Sequence, residues 1–86
     1  MALTWEIKTY EVEQGDDTKT RCGFYVTDSS DNTKLAIDKL ITTGSKSVDD
    51  ISKEAYDACQ TEVTAWVNNK TNVGKTFNPS TNKLEG

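Results

Sequence analysis

The side chains able to do chemistry are few, and their spacing decides what they can do. The 86 residues include no histidine, which removes the commonest general base, the commonest metal ligand and every nucleophile that leans on imidazole. Cys22 and Cys59 cannot complete a four-ligand zinc site without a third thiol or an imidazole. Each falls on the apolar side of its segment, where a free thiol behaves as a small hydrophobe. Reduced, buried thiols are the expectation, with a Cys22–Cys59 disulfide across a strand–helix interface as the alternative. Gly74-Lys75-Thr76 looks like the end of a phosphate loop, yet Asn69 stands where that loop needs its first glycine, and the flanking strand and helix are missing from the pattern. Asp28 and Asp31 share a loop, as calcium ligands do, without the regular oxygen ligands, central glycine and closing glutamate of a calcium loop. Asp16-Asp17 and Asp49-Asp50 are neighbouring carboxylates that do not converge on one atom; a turn and a helix start account for them. No catalytic residue, no metal and no cofactor is expected, and the chain reads as one that acts by binding.

Length and charge narrow the kind of binding. A chain of 86 residues has room for one domain with a small core. The net charge is −4, made of −6 over residues 1–67 and +2 over residues 68–86. Nucleic acid is a poor ligand for so acidic a body, because phosphate contacts need a basic surface. No run approaches the length of a membrane span, and Met1-Ala2-Leu3-Thr4-Trp5-Glu6 lacks the basic start and apolar stretch of an export signal. The expectation is a protein that works in the cell that makes it, away from membranes.

The elements that must position these residues follow from periodicity. Leu3, Trp5 and Ile7 alternate with polar residues as in a strand with one buried face. Tyr10 and Val12 have the opposite parity, so a bulge or sharp twist is expected near Lys8-Thr9. Gln14-Gly15-Asp16-Asp17 reads as a turn, and Thr18 to Thr27 as a second strand with Cys22, Phe24 and Val26 on one face. Asp28 to Asn32 is the next loop. Leu35, Ile37 and Ile41 fit a third strand or a short helix ending at Gly44; the strand is preferred because two strands alone make a marginal sheet. Ile51, Ala55, Cys59, Val63 and Trp66-Val67 recur at helical spacing, with Ser47 and Asp50 or Ser52 available at the start. The fold class is thus α+β: a three-stranded antiparallel sheet with one helix on one face, in the order β-β-β-α, over residues 1–69. Residues 70–86 are expected to form an extended polar tail, partly docked through Phe77.

This arrangement predicts a core of Trp5, Ile7, Phe24, Val26, Ile37, Ala55, Cys59, Val63, Trp66 and Val67. By parity, Tyr10, Arg21 and Tyr25 are assigned to the sheet face away from the helix. Exposed tyrosine and arginine together are a common interface composition, and cross-strand pairing is the alternative reason for them.

Thr4-Trp5-Glu6-Ile7-Lys8 at the start and Thr61-Glu62-Val63-Thr64-Ala65-Trp66-Val67 at the helix end resemble a family of small tailed-bacteriophage proteins of the cyanophage type. The match covers about a third of the chain. It implies a three-stranded sheet with one helix and a phage accessory or virion-associated protein acting through protein–protein contacts, with no catalytic residues carried over. The alternative it allows is an early-expressed phage inhibitor that binds a host enzyme or defence complex. Either reading implies a protein partner, from phage or host, or a homo-oligomer, and a location in the host cytoplasm or the virion.

Overall fold

Alternating residues between turn formers generate the sheet. The computed structural model describes residues 2–86. Strands β1 (Leu3–Glu13), β2 (Asp16–Asp28) and β3 (Thr33–Thr42) form an antiparallel sheet in the order β1-β2-β3. Helix α1 (Val48–Asn69) follows, then a 3-10 turn (Lys70–Asn72) and a separate hairpin of β4 (Thr76–Asn78) and β5 (Lys83–Glu85). The segment that reads as strand or helix is therefore strand, paired along its whole length to β2.

Turn chemistry sets the register. Gly15 takes φ 84° between β1 and β2, and Asn32 takes φ 59° between β2 and β3, a left-handed conformation that asparagine tolerates. Asp28 accepts the backbone N–H of Ser30 at 2.9 Å, and Asp31 accepts that of Thr33 at 3.1 Å, so the β2–β3 loop is two successive side-chain turns. The expected bulge is present: Ile7 pairs with Phe24 and Thr9 with Gly23, leaving Lys8 as the extra residue in β1.

The helix begins with a capping box. The Ser47 hydroxyl accepts the Asp50 N–H at 3.1 Å, and the Asp50 carboxylate accepts the Ser47 N–H at 3.4 Å. Ile51, Ala55, Cys59 and Val63, four residues apart, bury one stripe of α1 against Cys22, Phe24 and Val26 of β2 and Ile41 of β3. Leu3, Trp5, Leu35, Ile37 and Trp66 pack around that centre and stay partly exposed. Against the expected core, Cys22, Ile41 and Ile51 are additional buried members, Ile7 is 47% exposed and Val67 is only half-buried. The reason is the width of the roof. Helix α1 lies over β3 and, to a lesser extent, β2, so Ile7 on the outer strand has no helix above it.

The tail also departs from expectation. It is not extended: β4 and β5 pair with each other, with Phe77 opposite Leu84. Phe77 is 55% exposed and does not dock into the core. Pairing Phe77 with Leu84 within the hairpin takes the place of anchoring it to the sheet.

Candidate protein-contact surfaces

Paired residues on neighbouring antiparallel strands share a face, so the register assigns every strand residue to the helix side or the open side of the sheet. Cys22 pairs with Tyr10, Thr20 with Val12, Phe24 with Ile7 and Val26 with Trp5. Because Cys22, Phe24 and Val26 face α1, so do Trp5, Ile7, Tyr10 and Val12. The bulge at Lys8 achieves this by resetting the parity of the strand. Tyr10 therefore does not join Arg21 and Tyr25; parity counted straight through an inserted residue assigns the wrong face to everything beyond it.

The consequence is an apolar strip on the outermost strand. Ile7 is 47%, Tyr10 36% and Val12 57% exposed, all on the helix side of β1 but beyond the reach of the helix. Trp5 closes one end of the strip, its ring 5.2 Å from Phe24 edge-on and 4.5 Å from Tyr56 of α1. Tyr56, 37% exposed, borders the strip from above.

The open side has a different character. Lys8 donates to Asp38 at 2.8 Å, Arg21 lies 3.8 Å from the same carboxylate, and Arg21 also forks onto Glu13. The Glu13 hydrogen bond and charge hold the Arg21 guanidinium even more firmly protonated than usual. This chain of charges runs over Gly23, where an added Cβ would come within 2.4 Å of Asp38 Oδ1. Tyr25 is 39% exposed with Lys34 Nζ 5.7 Å from its ring centre, and Leu40 is 47% exposed. Arg21 is thus committed within the chain, and Tyr25 is the member of the expected interface trio that remains free on this side.

A third feature joins the helix end to the β2–β3 loop. Lys70 Nζ donates to Asp28 at 2.7 Å, to Thr33 Oγ1 at 2.8 Å and to Asp31 at 3.2 Å, and sits 4.0 Å from the centre of the Trp66 ring. Asp28 is 1% exposed and also accepts the Ser30 hydroxyl at 2.7 Å. Hydrogen bonds from Lys70 and Ser30 hold the Asp28 carboxyl far below the usual carboxylate range, against the opposing effect of burial. Burial works against the charge on Lys70, but its bonds to Asp28 and Asp31 outweigh that and raise its pKa. The ammonium thus occupies the point between the two carboxylates where a cation would be held.

The two thiols are free and buried, and desolvation pushes both above the ordinary thiol value. Among the described residues no cluster of three or more metal-ligating side chains occurs, and no helix is long and apolar enough to cross a membrane. Beside the outer edge of β3, an open groove of about 480 Å³ is lined by Leu35, Ala36 and Ile37 of the strand and Glu62, Ala65, Trp66 and Asn69 of the helix.

Sequence reasoning missed Lys70, assigning it to the tail, and with it the role of Asp28. No local pattern marks it: Asp16-x-Thr18, Asp28-x-Ser30, Asp31-x-Thr33 and Asn78-x-Ser80 all form the same side-chain turn, and only the three-dimensional structure distinguishes Asp28 as the buried one. Comparison with protein-family models, curated proteins and solved structures finds no match.

Proposed function

We propose that this chain is a non-enzymatic phage accessory or virion-associated protein that works by protein–protein contact, with the β1 strip of Ile7, Tyr10 and Val12 as its contact surface. The observation that supports this reading is the mismatch between a three-stranded sheet and a helix that roofs mainly the β2–β3 half. Apolar side chains left bare in a row on an edge strand favour burial against another protein, since the hydrophobic gain scales with area withdrawn from water. Tyr10 and Tyr56 supply rigid aromatic area of the type enriched at interface centres. The phage context rests on the resemblance of Thr4-Trp5-Glu6-Ile7-Lys8 and the Thr61–Val67 segment.

Two measurements test it. Mass spectrometry of purified particles of the source phage should find the chain in stoichiometric amount, and absence from particles would sink the virion version. Val12→Asp should keep the parent melting temperature, because Val12 is 57% exposed, while abolishing the contact. A variant that binds as the parent does would remove the strip from the interface. Capture of one host enzyme through high-salt washing would transfer the same surface to host inhibition.

A further inference from the structure

We infer that a second copy of this chain docks along the outer edge of β3, about a two-fold axis through Ala36, to give a continuous six-stranded sheet with two antiparallel helices on one side. The inference is independent of what the β1 strip binds. It starts from the contrast between the two edges. β1 is interrupted by the Lys8 bulge and again between Val12 and Glu13, and bulges are a standard way of blunting an edge against pairing. β3 has ten residues, no glycine or proline, and a register with no shift. Its outer backbone is open to a further strand.

The side chains of β3 are self-complementary in one register. With Ala36 opposite Ala36 of the second copy, Leu35 faces Ile37 on the helix side and Lys34 faces Asp38 on the open side, each pairing occurring twice. Moving the axis to Ile37 sets Leu35 against Lys39, and moving it to Asp38 sets two aspartates against each other. Opposite charges across a ladder stabilise and like charges destabilise, so of these three axes the charge pattern favours Ala36. Lys34 makes no ion pair among the described residues, its ammonium lying 5.7 Å from the Tyr25 ring centre. Asp38 already takes Lys8 on Oδ1, but its Oδ2, 3.8 Å from Arg21, accepts no hydrogen bond among the described residues and is the atom left for this contact. Ala36, exposed on the open side and carrying only a methyl group, leaves room at the axis.

The helix matches the seam. The groove along β3 continues upward into Glu62, Ala65, Trp66 and Asn69, and Ala58 lies two turns before Ala65 on the same side of α1; both alanines are exposed, and Glu62 between them is ion-paired to Lys39 of its own sheet. Small residues let two helices approach to the 8–10 Å at which helices pack. Leu35, Ile37 and Trp66, partly exposed in one chain, would be covered by the same residues of the other, as an isologous interface requires.

The experiment places opposite charges at the axis. Analytical ultracentrifugation of the parent should show a dimer. Ala36→Glu and Ala36→Lys, each bringing two like charges together, should each raise the dissociation constant by about tenfold or more, with circular dichroism and melting close to the parent because Ala36 is exposed. Mixing the two variants in equal amounts should restore a dimer containing one of each. A parent that is monomeric at millimolar concentration would overturn the inference and leave the groove to a segment of another protein. A dimer indifferent to both Ala36 variants but lost in Val12→Asp would overturn it in favour of the β1 strip.

Discussion

Trp5→Ala tests how the outer strand is held. Helix α1 does not roof β1, and Trp5 is the β1 side chain whose ring reaches it, 4.5 Å from Tyr56, while meeting Phe24 at 5.2 Å and 85°. Removing a large buried aromatic costs about 3–5 kcal/mol. Trp5 is partly buried, so the low end applies, and a loss of about 3 kcal/mol follows with its aromatic contacts included. A domain of this size has a total stability near the low end of about 5–15 kcal/mol, so the variant loses a large share of its margin. At about 4–8 °C per kcal/mol, the melting temperature should fall by roughly 12–24 °C. Thermal and urea unfolding followed by circular dichroism measure both quantities. Trp5→Phe keeps a ring against Phe24 and should lose less than half as much. Tyr56→Ala removes one aromatic contact from a residue that is already 37% exposed, and should cost about 1 kcal/mol, with a coupling to Trp5 of about 0.5–1.5 kcal/mol in the double-mutant cycle. A Trp5→Ala protein melting within about 5 °C of the parent, or strict additivity with Tyr56→Ala, would mean that the backbone ladder alone holds β1 and that the aromatic clasp is incidental.

The remaining predictions concern the helix end and the thiols. Asp28 ionises far more readily folded than unfolded, so its contribution is fully present above about pH 4 and is lost as the pH falls toward its folded value. Lys70→Met should shrink that acid limb, and superimposable limbs in the two proteins would refute the link. A chain ending at Val73 should melt like the parent, since the β4–β5 hairpin pairs only with itself, whereas one ending at Asn69 loses Lys70 and should melt lower; equal melting temperatures would show the pin to be idle. Cys22 and Cys59 should react with a thiol reagent at pH 8 only as fast as the domain opens, both labelling on addition of urea, because they are buried and hard to ionise. Immediate labelling of either would contradict the burial.

The fold was legible because its signals are local. Four-residue steps from Ile51 to Val63, alternation around Phe24 and turn residues at Gly15 and Asn32 each act within a few neighbours, and together they dictate the β-β-β-α order. The contact surfaces were less so. Ile7 has the pattern of a core residue, and nothing in β1 records that the roof stops short of it; that depends on where a helix forty residues later settles. Tyr10 was misplaced through the bulge, whose presence was foreseen but whose effect on parity has to be carried forward residue by residue. Lys70 was missed because its partners, Asp28 and Asp31, lie about forty positions away. A polar residue at a helix end gives no hint that it closes a loop at such a distance.

The bulge at Lys8 carries a consequence for how this chain can change over generations. Upstream of it Trp5 and Ile7, and downstream Tyr10 and Val12, face the same way only because one residue stands out of the ladder. Deleting that residue would leave Trp5, Ile7, Tyr10 and Val12 on the helix side, now by plain alternation, because Ile7 and Thr9 already pair with the neighbouring residues Phe24 and Gly23. What would go is the interruption itself, together with the bond from Lys8 to Asp38, and a straighter outer strand offers more of its backbone to a foreign edge. In a set of descendants, loss of one residue between Ile7 and Tyr10 should therefore spare the fold while raising the tendency of β1 to pair with other chains. The extra residue guards the edge of the sheet more than its core.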